Sequence, residues 1–307
     1  MTKKHFQSRN RRDKISWYLM MLPTVLYIFI FSYIPMGGII IAFKNFQYNK
    51  GVFGSDWVGL ENFKFFFKTQ DAFRVTFNTL YLNALFIICG LVAAVAFALL
   101  LFEIKKKLCI KIYQTVMILP HFLSWVVVGY MVYALLSPEY GFINGFMKIF
   151  GLEPIQWYSE SKYWPAILVL SNVWKTAGMS CITYYAGLMG IDNEYFEAAR
   201  LDGANKWQEM RYISMPSIKP LIIIMTVLAL GNVFRADFGM FYNLTRDIGA
   251  LYPTTDVIDT YIFRALRVLG NINMSAAVGV FQSIVGFITI VTANWIVKKD
   301  DPDNAVF

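Results

Sequence analysis

Hydrophobic and polar segments alternate along the chain in a pattern that predicts six membrane-spanning helices. Each apolar run is longer than the roughly 20 residues that an α-helix needs to cross the hydrocarbon core of a bilayer. The runs lie at about 17–43, 77–102, 112–136, 164–189, 217–241 and 274–297. Polar, loop-forming segments separate them, so we expect an all-α integral membrane protein with a single membrane domain over 17–307.

Basic residues set the expected orientation of these spans. A basic tail over 1–16 precedes the first run, and a lysine cluster, Lys105 to Lys107 with Lys111, follows the second. Cytoplasmic segments carry an excess of Lys and Arg, so we expect the N-terminus inside. Six spans return the C-terminus to the same side. The first run lacks a small-residue cleavage pattern, which favours a retained span over a signal peptide.

Composition excludes several classes of protein. Hydrophobic residues make up 57% of the chain and charged residues only 16%, which is too apolar for an ordinary soluble domain. The net charge of +8 would suit a nucleic-acid-binding protein, but the basic residues are concentrated beside the apolar runs. Positive charge at the cytoplasmic ends of membrane spans explains that distribution better. Three unpaired cysteines and two histidines favour neither a disulfide framework nor a metal site. We expect no cofactor, no metal and no catalytic residue.

The longest polar stretch between two spans, residues 190–216, predicts two short helices around a turn on the cytoplasmic side. Short oxygen-bearing side chains cap helix starts, and glycine suits the left-handed position that ends a helix. The boundary signals are Asp192 or Asn193 as the first N-cap, Gly203 as the end of the first helix, Asn205 with Gln208 as a capping box, and Pro216 in the first turn of the next helix.

This stretch also resembles the coupling signature of bacterial ATP-binding-cassette (ABC) importer permeases. The pattern is Glu-Ala-Ala, three residues, Gly, nine residues, Ile, one residue, and Leu-Pro, with Met215 here in place of Leu. The resemblance implies a type I ABC importer permease fold, in which this helix-turn-helix docks on a separate ATPase. The residues it implies for coupling are Glu197, Ala198, Ala199, Asp202, Gly203, Ile213 and Pro216.

Shorter motifs resemble carbohydrate-uptake permeases of the maltose-permease class, and most closely the branch linked to complex oligosaccharides and polysaccharide fragments. These motifs are Tyr33-Ile34-Pro35-Met36, Gly59-Leu60-Glu61-Asn62-Phe63, Ile118-Leu119-Pro120-His121-Phe122 and Val257-Ile258-Asp259-Thr260-Tyr261. The resemblance implies a bacterial cytoplasmic-membrane location and a carbohydrate substrate. It also implies three kinds of partner: a second homologous permease, two ATPase subunits and an extracytoplasmic solute-binding protein. The chain lacks a P-loop pattern of its own.

Polar and aromatic residues in the fourth and fifth spans are candidates for a substrate path. A sugar needs hydrogen-bonding groups for its hydroxyls and flat apolar surface for its C–H faces. Ionisable groups inside a span are costly unless they have a partner or a wet cavity. The candidates are Asn172, Trp174, Lys175, Tyr184, Asn232, Phe234 and Asp237. Hydrogen bonding between helices, with no contact to substrate, would explain the same residues.

The sequence therefore predicts a permease subunit of an oligosaccharide importer, with two alternatives left open. One is a permease for a non-sugar solute such as a polyol or glycerol phosphate. The other is an integral membrane enzyme of lipid or glycan metabolism, which would need clustered carboxylates or histidines at a membrane surface; here these are sparse. Copurification of an ATPase favours transport, whereas turnover by the isolated chain favours the enzyme.

Overall fold

The computed structural model of the chain describes residues 16–300, and these residues are mostly helical. The predicted basic tail over 1–16 lies outside them except for Ser16. In chain order the helices are α1 (Ser16–Phe43), α2 (Gly51–Gly54), α3 (Glu61–Phe67), α4 (Gln70–Phe102), α5 (Lys107–Phe122), α6 (Trp125–Leu136), α7 (Phe142–Ile149), α8 (Trp164–Met189), α9 (Asn193–Leu201), α10 (Lys206–Leu230), α11 (Phe238–Thr245), α12 (Tyr252–Thr255), α13 (Ile258–Arg267) and α14 (Ile272–Asp300). Two short strands, β1 (Lys44–Asn45) and β2 (Asp56–Trp57), pair antiparallel after α1.

Four helices in the described part of the chain, α1, α4, α10 and α14, are long and apolar enough to cross a membrane. The bent pair α5 and α6 gives a fifth candidate if the two halves count as one span. Helix α8 has the bounds predicted for the fourth span, 164–189. Its polar side chains lower its mean hydropathy, so it is not among the four helices that are apolar enough to span a membrane. The all-α membrane architecture is confirmed, whereas the count of six spans stays a prediction.

The third predicted span, 112–136, is interrupted near Pro120, as the sequence indicates, and its two halves, α5 and α6, meet at an angle of 96°. Pro120 lies in a 3₁₀ turn that closes α5. Ser124 caps α6, since its Oγ accepts a hydrogen bond from the N–H of Val127 at 3.3 Å. Proline removes a helical hydrogen bond and a serine cap satisfies a free N–H of the next helix. The sequence predicts the break but not the change of direction.

The fifth predicted span, 217–241, is wrong in its outer part. Helix α10 ends at Leu230, a non-helical turn covers 231–237, and α11 begins at Phe238. Asp237 caps α11, because its Oδ1 accepts a hydrogen bond from the N–H of Met240 at 3.2 Å. Helix α11 is itself apolar, so hydropathy alone extends the span across the short polar turn and the helix boundary.

Helix α10 also begins earlier than expected, because it joins the polar segment to the fifth span. The sequence places Pro216 at the start of a new helix, but in the structure it lies inside a continuous one. A π-turn over Met210–Ser214 precedes it. A wider turn displaces the carbonyl that a proline ring would otherwise meet, so the helix continues through the proline. The same arrangement occurs in α1, where a π-turn over Phe29–Tyr33 precedes Pro35.

Helices α4 and α8 pack along each other at the centre of the fold, and the remaining spans surround them. Three buried clusters hold these helices together: one joins α4 and α8 to α6 and α11, one joins α4 to α13 and α14, and one joins α4 and α8 to α10. Leu82 and Leu168, from α4 and α8, are fully buried in the first cluster. Helix α1 is the exception, because only 6% of its apolar window is buried within the chain. Its surface must be covered by lipid or by another polypeptide.

A buried carboxylate fastens the segment between α12 and α13 to the first turns of α4. The side chain of Asp256 is completely buried and pairs with Arg74, at 3.1 Å, and with Arg264. It also accepts a hydrogen bond from the hydroxyl of Thr260 at 3.0 Å. Two guanidinium groups and a hydroxyl offset the cost of burying the charge. Asn78 of α4 donates to the backbone carbonyl of the same aspartate at 3.1 Å.

Helices α5 and α8 meet backbone to backbone at Gly178. A β-carbon on Gly178 would lie 1.9 Å from the carbonyl oxygen of Met117, well inside van der Waals contact. Only glycine allows this approach, so the position fixes how closely the first half of the broken span lies against the centre of the fold.

We expect Gly178→Ala to push α5 away from α8 and to lower the thermal unfolding midpoint of the purified protein, because overpacking a close contact costs roughly 1–3 kcal/mol. Gly279→Ala is the matched control, since a β-carbon on this glycine of α14 meets no atom within 4 Å. Equal midpoints for the two variants, measured by intrinsic fluorescence in detergent, would contradict the backbone contact.

Candidate functional site

The polar segment between α8 and α10 folds as a helix-turn-helix, called here the connecting hairpin (residues 190–216). Asp192 caps α9 by accepting a hydrogen bond from the N–H of Glu194 at 3.0 Å. Gly203 follows α9 with φ at +85°, the left-handed conformation that glycine adopts freely. Asn205 and Gln208 exchange hydrogen bonds of 2.7 and 2.9 Å at the start of α10. The caps predicted from the sequence are therefore confirmed.

A buried carboxylate, Glu209, joins the two helices of the connecting hairpin across the turn. Arg200 donates to it from two nitrogens, Nε at 2.8 Å and Nη2 at 3.2 Å, and Lys206 donates at 2.8 Å. The side chain of Glu209 is only 2% exposed, whereas those of its two partners are about half exposed. The sequence suggests Glu197 as an intramolecular partner for Arg200; the structure gives Glu209 instead, because the turn brings α10 back against α9.

These hydrogen bonds keep Glu209 ionised. Those from Arg200 have the largest effect and lower the pKa of Glu209 to about 2, against the opposing effect of burial, and Lys206 adds to the lowering. The group lies in the charged first turns of α10, ahead of its apolar part. Because the folded-state pKa lies below the ordinary value of 4.5, the stabilisation is present above that value. It is lost only as the pH falls toward 2.

The connecting hairpin is anchored to the end of α4. Lys206 forms an ion pair with Glu103 at 3.0 Å, just beyond the last residue of that helix. Phe196 of α9 is buried, with its ring centroid 5.6 Å from that of Phe102. An apolar contact and an ion pair therefore hold the two helices of the hairpin against the same helix end.

The residues of the coupling signature form an exposed ridge and the wall of a groove. Glu197, Ala198, Asp202, Gly203 and Pro216 are exposed, and Ala199 and Ile213 are half-buried. A groove of about 240 Å³ runs between the two helices beside Gly203, with Ala199 and Ile213 in its wall. None of the ion pairs between residues 16 and 300 includes Glu197, so its charge is available to another polypeptide.

Helix α10 connects this groove to a second concave site. Ile213 lies in the groove, and Thr226 and Ala229 line the second site further along the same helix. Thirteen residues of α-helix span about 20 Å, so one continuous helix links the two sites over that distance.

The second site, called here the central cavity, lies between α4, α8 and α10 and has a volume of about 350 Å³. Helix α8 contributes Asn172, Thr176, Ser180 and Tyr184, which recur every four residues and therefore share one face. Polar side chains from other elements complete the lining: Asn83, Thr226, Asn232, Arg235 and Asp237. Apolar groups such as Phe86 and Met240 lie among them, so the cavity offers both hydrogen bonds and flat contact surface.

The non-helical turn over 231–237 borders the central cavity, and side chains from other helices satisfy its backbone. Asn83 donates to the carbonyl of Val233 at 2.8 Å, and Gln282 donates to that of Phe234 at 2.6 Å. Asp259 accepts a hydrogen bond from a third backbone group of the turn at 2.8 Å. Irregular backbone at membrane depth is tolerated where it is buried in protein or lines a cavity, and this turn meets both conditions.

Trp125 connects Lys175 and Asp237, two of the charged residues that the sequence places in spans. Its Nε1–H donates to Asp237 at 2.5 Å, and the ammonium of Lys175 lies 5.1 Å from the centre of its ring. Lys175 also donates to the carbonyl of His121 at 2.8 Å. The buried lysine therefore has its partners at the bend between α5 and α6, which answers the requirement that a charge in a span be paired.

The structure brings four of the seven path candidates together. Asn172, Tyr184, Asn232 and Asp237 line the central cavity. The other three lie elsewhere. Trp174 is 45% exposed on the outside of α8, Lys175 is buried beside the bend, and Phe234 is buried in the cluster of α4, α13 and α14.

The structure adds three residues to the two sites that the sequence does not single out: Glu209, Asn83 and Thr226. Lys206 and Glu209 are three residues apart on one helix, a spacing at which opposite charges pair, so this contact could be found from the sequence. Asn83 is one of two asparagines, with Asn78, in the apolar run of the second span, and an amide in such a run is itself a signal of a buried polar contact. Thr226 bonds its own helix, and nothing in the sequence sets it apart.

Comparison with known proteins assigns the chain to a family. The family described as "Binding-protein-dependent transport system inner membrane component" matches residues 87–299. Protein LplB of Bacillus subtilis (strain 168) is 35% identical over 294 residues, which cover 95% of this chain and 91% of that protein. The polygalacturonan/rhamnogalacturonan transport system permease protein YteP of the same organism is 36% identical over 282 residues, with coverages of 92% and 87%.

Two solved structures are similar over nearly the whole chain. One is a chain of a bacterial ABC transporter involved in the import of the acidic polysaccharide alginate; the TM-score is 0.87 at 32% identity, covering 96% of this chain and 99% of that one. The other comes from a bacterial alginate ABC transporter in complex with an alginate pentasaccharide-bound periplasmic protein. Its TM-score is 0.86 at 31% identity, with coverages of 95% and 96%.

The fold, the connecting hairpin and these similarities define a membrane subunit of an ABC importer. The chain belongs to the family of binding-protein-dependent transport system inner membrane components. It is an integral membrane permease, a transport subunit and not an enzyme. The permease fold and family expected from the sequence are confirmed, and the roles of individual residues stay predictions.

We expect Glu209→Gln to loosen the connecting hairpin, because the amide keeps the size of the side chain but loses the charge that Arg200 and Lys206 share. Amide hydrogen exchange over residues 199–209 should speed up roughly threefold to tenfold. Hydrogen bonds to charged groups contribute about 1.5–3 kcal/mol, and exposed partners reduce that figure.

Glu194→Gln is the control for this measurement. Glu194 is exposed on α9 and takes part in none of the ion pairs among residues 16–300, so its variant should exchange like the parent protein. Slow exchange in both variants would show that Glu209 does not hold the hairpin together.

Proposed function

We propose that this chain is the permease subunit of an ATP-driven importer that carries an oligosaccharide across the cytoplasmic membrane. The observation that carries the proposal is α10. Its first turns form part of the connecting hairpin and its last turns line the central cavity. A continuous helix shared by the two sites supplies the physical connection that coupling between an ATPase contact and a substrate cavity needs.

The chemistry of the central cavity supports a sugar as the substrate. A pyranose ring has hydroxyl edges and C–H faces, and the cavity offers amide and hydroxyl groups beside Phe86 and Met240. Its volume of about 350 Å³ falls within the range of about 300–1,000 Å³ that is usual for small-molecule sites. The substrates named for YteP and for the alginate transporter support an oligosaccharide over a polyol or glycerol phosphate.

Transport of this kind requires partners. We infer a second homologous permease, two ATP-binding-cassette subunits and an extracytoplasmic solute-binding protein. The exposed apolar surface of α1 and the open side of the central cavity support the second permease. The alginate transporter was solved with its periplasmic protein, which supports the binding protein.

The distribution of charge supports a topology with both termini in the cytoplasm. The lysine cluster after α4 and the pair Lys298 and Lys299 at the end of α14 would lie on the same side as the connecting hairpin. The positive-inside rule makes that side the cytoplasmic one. The membrane domain would then cover 17–307, with the basic tail over 1–16 in the cytoplasm.

Each group of residues then has a role. The exposed ridge of the hairpin, with Glu197, Ala198, Ala199, Asp202 and Gly203, would enter a cleft of the ATPase, while Ile213 and Pro216 direct α10 toward the membrane. ATP binding would move the hairpin, and α10 would transmit the motion to the cavity. The sugar would contact Asn172, Tyr184, Asn232 and Asp237 as access changes from one side to the other.

The direct test is purification of the chain from its native membranes together with the polypeptides bound to it, followed by reconstitution into liposomes. An ATPase should copurify, and uptake of a labelled oligosaccharide should depend on ATP and on the solute-binding protein. Absence of an ATPase together with turnover of a lipid or glycan by the isolated chain would favour the membrane enzyme instead.

We expect Glu197→Lys to abolish ATP-driven uptake and to weaken retention of the ATPase during purification, because it reverses a charge that has no intramolecular ion pair in the described chain. The fold should be unaffected, so the permease pair should still assemble. Glu139→Lys makes the same charge reversal at an exposed site after α6 and serves as control. Full retention and uptake with Glu197→Lys would remove the hairpin from the ATPase contact.

We expect Asn232→Ala to slow oligosaccharide uptake about tenfold while leaving ATPase retention at the parent level, because one lost hydrogen bond in a desolvated site corresponds to roughly 1–1.5 kcal/mol. The side chain of Asn232 is exposed in the cavity and donates only to the carbonyl of Leu228 near the end of α10, at 3.3 Å, so the fold should survive. Ser283→Ala on α14, where the hydroxyl donates to a carbonyl of its own helix, is the control. Equal uptake rates would exclude Asn232 from the path.

A further inference from the structure

We propose that a second pocket in this chain, called here the tyrosine pocket, binds a carboxylate-bearing (uronic acid) residue of the transported oligosaccharide. The inference rests on the proposed function and names the class of its substrate. The pocket lies between α6 and α11 and has a volume of about 220 Å³. Its lining consists of Val126, Gly129, Tyr130, Tyr133, Tyr242, Asn243 and Arg246.

The lining has the two kinds of surface that a sugar needs. Three tyrosines provide flat apolar rings, and none of the hydrogen bonds among residues 16–300 uses the hydroxyl groups of these three side chains. Neighbouring rings hold two of them in place. Tyr133 packs on Tyr158 at 5.5 Å between ring centroids, and Tyr242 lies between Phe238 and Phe263 at 5.1 and 5.2 Å. Rings fixed in advance lose little freedom when a ligand binds.

Arg246 supplies the positive charge that binding of a carboxylate requires. Its guanidinium lies 4.2 Å from the centre of the Tyr133 ring and forms no ion pair with any residue of the described chain. It is the one charged residue that lines the pocket between residues 16 and 300. A guanidinium presents parallel N–H groups that match the two oxygens of a carboxylate, so an exposed arginine fixed over an aromatic ring is suited to a uronate.

The backbone at Arg246, which places its side chain over the pocket, has a conformation that is unfavourable for residues other than glycine. Arg246 and Asp247 follow α11 with φ of 55° and 50°, a left-handed conformation in which glycine is the usual residue. The side chain of Asp247 uses this conformation to bond Tyr252 at 3.0 Å and Arg264 at 2.9 Å. The turn therefore directs the aspartate into the protein and leaves the arginine over the pocket. Strain of this kind is kept where the side chains are needed.

The tyrosine pocket and the central cavity lie at opposite ends of α11. Asp237, which lines the central cavity, caps the first turn of this helix, and Arg246 follows its last residue. Eight residues of α-helix span about 12 Å, so one extended oligosaccharide reaches from one site to the other. The pocket runs along α6 from Val126 to Tyr133, and on the proposed topology this helix leads from the bend toward the extracytoplasmic side, where a substrate enters.

Helix packing at Gly129 forms this pocket. A β-carbon on Gly129 would lie 2.7 Å from the carbonyl oxygen of Asn243, so α6 and α11 approach each other along their backbones. The bend of 96° before α6 directs this helix against α11. The site therefore depends on both broken spans, which explains why no contiguous motif reveals it in the sequence.

The charges also distinguish the two sites. Arg235 and Asp237 both line the central cavity, so a cation and an anion face the same space. Among residues 16–300, none of those that line the tyrosine pocket carries a carboxylate, and the side chain of Asp247 bonds Tyr252 and Arg264 instead. We therefore assign recognition of the acidic sugar residue to the tyrosine pocket. The central cavity binds hydroxyl groups of the sugar.

The test uses the purified transporter complex in nanodiscs without its solute-binding protein, so that docking of that protein does not enter. Saturation-transfer NMR titrations compare trigalacturonate with its methyl ester, which has the same rings but no charge. The parent complex should bind the acid about tenfold more tightly than the ester, because the guanidinium forms charge-assisted hydrogen bonds with the carboxylate and not with the ester. Arg246→Gly should remove this preference and leave binding of the ester unchanged.

Arg246→Gly is chosen because glycine relieves the left-handed backbone, so the variant should unfold at the same temperature as the parent or higher. Arg246→Lys keeps the positive charge but lacks the parallel N–H groups of a guanidinium, so it should retain part of the preference for the acid over the ester. Arg267→Gly, which removes an exposed arginine of α13 that does not line the pocket, is the matched control and should behave like the parent.

Two results would overturn the inference: equal affinity of the parent complex for acid and ester, or an unchanged preference after Arg246→Gly. Loss of acid and ester binding to the same extent would also overturn it, because the arginine would then not be reading the carboxylate. If the complex takes up oligosaccharides with ATP and one of these results is found, the pocket assignment fails alone. If no ATP-driven uptake is found, the proposed function fails and this inference with it.

Discussion

The turn between α10 and α11 persists because other helices satisfy its backbone. A buried N–H or C=O without a partner costs roughly 1–3 kcal/mol or more, and lipid offers no substitute for water. Asn83, Asp259 and Gln282, from α4, α13 and α14, supply the missing hydrogen bonds. The helix interruption that brings Asn232, Arg235 and Asp237 to the central cavity therefore depends on three distant side chains. The shape of the central cavity thus depends on how these helices pack against one another.

Two buried carboxylates, Glu209 and Asp256, have the same structural role in different parts of the molecule. Glu209 is held by Arg200 and Lys206 in the connecting hairpin, and Asp256 is held by Arg74 and Arg264 beside the start of α4. In each case two cations surround one anion, which makes burial of the charge tolerable but leaves a large cost if the anion is removed. Both sites fasten a connecting segment to an end of α4, so this helix carries rigid attachments at both ends.

Local signals in the sequence predict the connecting hairpin and the fourth span well, because caps and a left-handed glycine act within a few residues of where they stand. The direction of the third span and the outer end of the fifth are not predicted, because hydropathy reports burial and not direction: Ser124 and Asp237 start new helices inside apolar runs. Trp174 and Lys175 lie two and three residues from Asn172, off the face that recurs every four residues, and helical periodicity could have separated them from the cavity. The pairing of Asn83 with residues 150 positions later has no sequence signal.

The π-turn in α10 has a geometric consequence beyond admitting Pro216. A turn of this kind holds one residue more than an ordinary α-turn, and each residue of an α-helix rotates the chain by about 100°. The extra residue over Met210–Ser214 therefore sets the rotational phase between the face of α10 in the hairpin and the face toward the cavity. Deleting Arg211, which lines neither site, would leave the side chains of both sites intact and rotate the hairpin by more than a quarter turn. The alignment of the two ends of this helix is thus a matter of residue count, independent of which residues stand between them.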